Sequence, residues 1–203
     1  MSRLDPANAR SRRTAEALLA AARALLEESG AGRLTMAAVA DRAGVSRRAV
    51  YLHFASRHDL VGALFDYVNE IEGLDSAFAE VLAHPDAEET LRAYGAFLAR
   101  QVPRILAVSK AIERDATTDS AAAEHWARAM RYRQDMARQL VTRLSGQGIL
   151  APTWTAETAE QVLLALGSIE VVTQLTVGSG WPTEQAARRF GDLLCLALVS
   201  RTE

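Results

Sequence analysis

Thr35-Met36-Ala37-Ala38-Val39-Ala40-Asp41-Arg42-Ala43-Gly44-Val45-Ser46 is the stretch that decides how this 203-residue chain reads. Thr35 is a residue type that caps helix N-termini, and Met36 to Ala43 forms a short helix with Val39 and Ala40 inward. Gly44 stands where a left-handed backbone closes a helix, Val45 anchors the corner, and Ser46 caps the next helix, Arg47 to Phe54. That helix sorts into two faces. Ala49, Val50 and Phe54 point inward; Arg47, Arg48 and Tyr51 point outward, with Leu52 at the margin of that face.

Short helix, glycine turn, short helix is the helix-turn-helix pattern, whose second helix enters the DNA major groove. Arginine suits a guanine edge because its planar fork matches the O6 and N7 acceptors. Tyr51 and His53 can donate to phosphate oxygens, which carry no sequence information. Upstream, Thr14 to Ser29 carries Ala17, Leu18, Ala21, Ala24 and Leu25 at helical spacing and stops at Gly30. Downstream, Ser56 and Asp59 have capping-box spacing and open a fourth helix through Asp66 or beyond.

The formal net charge of −2 conceals an asymmetry. Residues 1–58 hold ten arginines against five acids, whereas the remainder holds 13 basic and 20 acidic residues. A basic head on an acidic body implies that the head meets a polyanion. Arg10, Arg12 and Arg13 read as an N-terminal arm that either adds backbone or minor-groove contacts or stays solvated.

The rest of the chain is read as helix as well, giving an all-α fold: a three-helix head, residues 1–55, and a larger helical body, residues 56–203. Gly73-Leu74 interrupts the chain and His84-Pro85-Asp86 is a turn. A helix from Asp86 carries Leu91, Tyr94, Leu98 and Val102 until Pro103 kinks or breaks it. Ser120 to Leu144 is a long helix, and Gly146 to Pro152 a loop. Thr155 to Val177 is a single helix, apolar on nearly all sides, and Thr183 to Ser200 is the last. In that last helix Phe190, Leu193, Leu194, Ala197 and Leu198 form the stripe.

Thr35 to Ser46, then Val50-Tyr51, His53-Phe54 and Ser56-Arg57-His58-Asp59-Leu60, resemble the DNA-binding segment of the TetR family of bacterial transcriptional regulators. The match covers about a quarter of the chain at fixed spacing without a gap. Arg57 stands where the family usually has Lys, and His58 where an acid is frequent. Arg47-Arg48-Ala49 fills the variable stretch, so no relative's operator transfers to this chain. The resemblance implies that Thr35, Ser46, Tyr51, His53 and Arg57 hold the DNA backbone while Arg47 and Arg48 read bases. It also implies a homodimer joined by its last two helices, an imperfectly palindromic double-stranded operator, and a small-molecule effector that releases a repressor.

A helix apolar all round must be covered on both sides, which suits a helix packed on its own subunit and on a partner; a monomer that buries both of its last helices internally is the competing reading. Phe97, Gln101, Trp126 and Met130, with Glu170 and Gln174 one turn apart, are the candidate effector residues; plain core is the competing reading. The fourth helix then links head to sensor, so effector and DNA weaken each other's binding equally.

No catalytic constellation is visible: no Gly-x-Ser-x-Gly, no His-Glu-x-x-His, no phosphate-cradling glycine loop. His53, His58, His84 and His125 lack metal-ligand spacing, and the single Cys195 makes neither a disulfide nor a cysteine zinc site. The reading is a regulator that is not an enzyme, with no cofactor, metal or membrane partner. A polar, arginine-rich N-terminus with no membrane-length apolar run makes the expected location cytoplasmic. The alternative is an all-α small-molecule- or protein-binding dimer without DNA-binding activity; the arginines of the head discriminate against it.

Overall fold

The computed structural model describes residues 6–200, which form ten α-helices and no strand among them. These are α1 (Pro6–Ser29), α2 (Met36–Ala43), α3 (Arg47–His53), α4 (Arg57–Ile71), α5 (Leu74–Leu82), α6 (Ala87–Asp115), α7 (Ser120–Gly146), α8 (Ala156–Leu166), α9 (Ile169–Thr173) and α10 (Thr183–Leu198). Among the described residues no single helix is long and apolar enough to cross a membrane. The all-α expectation holds.

The chain divides into two compact units. The first runs to Ile71 and takes in Ala107–Ala127; the second holds Glu72–Leu106 and the chain from Arg128. A core of Leu18, Ala22 and Leu26 from α1, Val39 and Ala40 from α2, Val50 from α3 and Leu60, Val61 and Leu64 from α4 closes the first unit. Each residue lies on the apolar stripe of its own helix, so burial follows directly from periodicity. The first unit therefore packs as more than a three-helix head: α4, the end of α6 and the start of α7 belong to it.

In the second unit α6 and α10 cross with their backbones nearly touching. A Cβ on Gly95 would sit 2.6 Å from the Gly191 Cα, and one on Gly191 would sit 2.6 Å from the Arg92 carbonyl oxygen. Phe78, Tyr94 and Phe97 form an aromatic cluster, with the Tyr94 and Phe97 rings stacked 6.1 Å apart. Phe190, Leu194 and Leu198 of α10 face inward, while Leu193 and Leu196 are exposed. The expected single stripe is thus two: Leu194 belongs to the subunit's own core, and Leu193 lies on the outer face.

Three expectations about helix limits need correction. α1 starts at Pro6, so Arg10, Arg12 and Arg13 are exposed residues of a helix and not an extended arm. Proline at a first helical position costs nothing, because that N–H is an orphan anyway. Arg3, the further arginine of the N-terminus, lies outside the described residues. α6 runs unbroken through Pro103. Proline forfeits one hydrogen bond, and burial of Ala99 and Val102 on the packed side of the helix offsets the loss. The stretch Thr155 to Val177 is not one helix. It stops at Gly167, Ser168 caps a new helix by accepting from the Val171 N–H, and the two pieces meet at a 46° bend. Gln174–Gly178 then winds as a π turn.

Candidate nucleic-acid interface

α2 and α3 owe their geometry to the residues between them. The Thr35 hydroxyl oxygen accepts from the Ala38 N–H at 3.1 Å, satisfying an orphan donor at the start of α2. Gly44 has φ +67°, where a side chain would be strained, and its N–H donates back to the Asp41 carbonyl. The Val45 N–H donates to the Ala40 carbonyl, and Ser46 caps α3 by accepting from the Ala49 N–H at 3.2 Å. Both caps use the hydroxyl as acceptor, which leaves each hydroxyl proton to be donated outward.

On α3 the inward side is the one the spacing predicts: Val50 is fully buried and Phe54 follows it into the core. Arg47, Arg48, Tyr51 and Leu52 are exposed, and His53 is half-buried with its ring 6.2 Å from that of Phe54. Neither Arg47 nor Arg48 makes an ion pair with a described residue, and α3 carries no acid.

Other arginines of the same unit are spent internally. Arg42 makes a two-pronged contact with Glu28 at 2.5 and 2.6 Å, pinning α2 to α1. The Arg42 hydrogen bond holds the Glu28 carboxyl below its usual range. Arg23 pairs with Glu27 at 2.7 Å. Arg57 is the main departure from expectation. Its Nε donates to the Leu34 carbonyl at 2.9 Å, and its guanidinium pairs with the buried carboxylate of Asp115. His58 sits 3.0 Å from Asp119. Arg57 is therefore a part-buried tie between Leu34 and Asp115 within the unit. Asp115 lies 58 residues away, and no local signal announces it.

The expected effector residues scatter. Phe97 is buried, and the Gln101 Oε1 is buried without a hydrogen-bond partner among the described residues, as is the Thr173 Oγ1. Met130 is half-buried near Arg133, which donates to the Leu164 and Gly167 carbonyls at the end of α8. Glu170 and Gln174 are exposed, and Trp126 belongs to the other compact unit. Tyr94, stacked on Phe97, is deeply buried and its hydroxyl is pushed up to about 12 by desolvation. Burial likewise raises the Cys195 thiol to about 11, leaving it protonated and a poor nucleophile. No cluster of three or more metal-ligating side chains occurs among the described residues.

Comparison with known proteins agrees with this geometry. Residues 18–64, which span α2, α3, the C-terminal half of α1 and the start of α4, match the bacterial regulatory proteins of the tetR family. No curated protein matches the chain. Among solved structures, a transcriptional regulator from Saccharomonospora viridis in complex with choline is similar over 94% of this chain and all of its own, at TM-score 0.79 and 18% identity. A TetR-family regulator from Agrobacterium tumefaciens is similar over 94% of this chain and all of its own (TM-score 0.73, 18% identity). A regulator from Rhodococcus is similar over 93% of this chain and 99% of its own (TM-score 0.70, 23% identity). Residues 18–64 thus match the tetR family of bacterial regulatory proteins, on a chain whose fold is similar to that of solved TetR-family regulators.

Proposed function

We propose that this DNA-binding regulator is a homodimeric repressor that a small molecule releases from a palindromic operator in the cytoplasm. In this division of labour residues 1–55 read DNA, and residues 56–203 sense the effector and dimerise. The observation that carries the reading is the pair Arg47 and Arg48, exposed and without an ion-pair partner among the described residues, on an acid-free α3 whose opposite side is core. Unpaired guanidinium groups on a groove-sized helix suit guanine edges, and the capping hydroxyls of Thr35 and Ser46 suit phosphates. Tyr51 and His53 add backbone contacts. Arg57 drops out of that set, because Leu34 and Asp115 occupy it.

Dimerisation is assigned to α8–α10, where Leu193, Leu196 and Val177 are exposed large apolar side chains. The effector is assigned to the second unit, beside the Phe78–Tyr94–Phe97 cluster. There the Gln101 Oε1, buried without a hydrogen-bond partner among the described residues, invites a ligand donor group. Recovering bound duplexes from a random pool, with and without a metabolite library that includes choline, tests both halves. Enriched inverted repeats whose recovery one metabolite abolishes support the reading. Enrichment of a single unrepeated half-site defeats the dimer, and no enrichment defeats the DNA role.

A further inference from the structure

Leu52 is 77% exposed, more than any other large apolar side chain among the described residues. Its place on α3 makes that exposure informative. At 100° per residue, Arg48 and Leu52 lie one turn apart on a single line opposite buried Val50, so they form the outermost ridge of the helix. Arg47 and Tyr51 flank that ridge on one side. An apolar residue beside two cations that have no ion-pair partner among the described residues is poorly placed to receive a second copy of this chain, because like charges would meet. It is well placed on a polyanion. The one apolar group that base edges present in the major groove is the thymine C5-methyl.

We propose that Leu52 is a specificity-determining residue whose side chain packs on a thymine C5-methyl in each half-site. This inference rests on the DNA-reading assignment of α3. Four residues of helix advance about 6 Å, close to two base-pair steps, so the thymine lies about two base pairs from the base that Arg48 reads. The half-site therefore combines a polar guanine contact with a methyl contact along the same ridge.

The test starts from the duplex most enriched by the wild-type protein from a random pool, with each thymine replaced singly by deoxyuridine. Uracil keeps the pairing and removes only the methyl. One replacement per half-site is expected to weaken wild-type binding about 3- to 10-fold, the scale of one lost buried methyl. Leu52→Ala is expected to bind the thymine and uracil duplexes equally and to unfold at the wild-type temperature, since the side chain is exposed. Uniform wild-type binding to every uracil duplex would overturn the proposal. So would a Leu52→Ala protein that keeps the wild-type preference for thymine. A pool that yields no enriched duplex would overturn the DNA reading itself, and Leu52 with it.

Discussion

Arginine is used in opposite ways on α3 and in the second compact unit. In the second unit Arg92 pairs with Glu88 and Asp192, Arg100 with Glu184, and Arg138 with Asp135. There too Arg133 and Arg143 donate to backbone carbonyls, and Arg189 lies 5.3 Å over the Trp181 ring. On α3, Arg47 and Arg48 have no such partner among the described residues. A charge count over residues 1–58 treats all ten arginines alike, but the structure separates those that tie the protein together from those left exposed on α3. Arg57 shows the value of the distinction: it sits in the basic segment and behaves like the arginines of the second unit.

The largest effect that separates the two uses concerns Arg57. Asp115→Ala removes the buried carboxylate that pairs with the part-buried Arg57 guanidinium and is expected to cost about 1.5–3 kcal/mol of stability, read by urea unfolding. An exposed-arginine variant such as Arg48→Ala is expected to change that midpoint by less than about 0.5 kcal/mol. Equal losses for both would erase the distinction. Next comes the closure of the second unit. Gly191→Ala sets a methyl against the Arg92 carbonyl and is expected to destabilise by about 1–3 kcal/mol, because backbone cannot step aside as a side chain can. A wild-type midpoint would mean that α6 and α10 are further apart.

Ser46→Ala is smaller. Loss of the α3 cap is expected to cost about 1 kcal/mol, with Ser46→Asp retaining most of it. Smallest is the acid limb of stability. The carboxyls of Glu28 and Glu184, held by hydrogen bonds from Arg42 and Arg100, titrate below their ordinary value of 4.5. A lowered folded value means that their contribution is present above pH 4.5 and is lost as pH falls through it. Melting temperatures of Glu28→Gln and Glu184→Gln are therefore expected to converge on wild type as pH drops from 6 to 3. A difference that widens on acidification would contradict those pairings.

The α2–α3 corner was legible in the sequence because its determinants are local. Thr35, Gly44 and Ser46 act within four residues of themselves, and Val39, Ala40 and Val50 declare their faces by spacing. What escaped is non-local or rests on a small signal. Gly167-Ser168 ends one helix and caps the next, yet an apolar run on both sides hides it. Pro103 reads as a breaker until the burial around it is known. The partners of Arg57 lie 23 and 58 residues away, so a phosphate contact was the natural reading of an arginine at that spacing. Leu193 and Leu194 are adjacent, equally apolar and turned about 100° from each other, and only packing assigns the inner one.

The central claim is that the unpaired arginines of α3 read bases. Its most direct test is the ratio of affinities for the enriched duplex and for a scrambled duplex, measured at one salt concentration for wild type and Arg48→Ala. The account predicts that Arg48→Ala lowers the ratio about 5- to 150-fold, equivalent to about 1–3 kcal/mol of base discrimination, while its affinity for scrambled DNA changes little. An Arg48→Ala protein that loses affinity equally for both duplexes, leaving the ratio at the wild-type value, would contradict it.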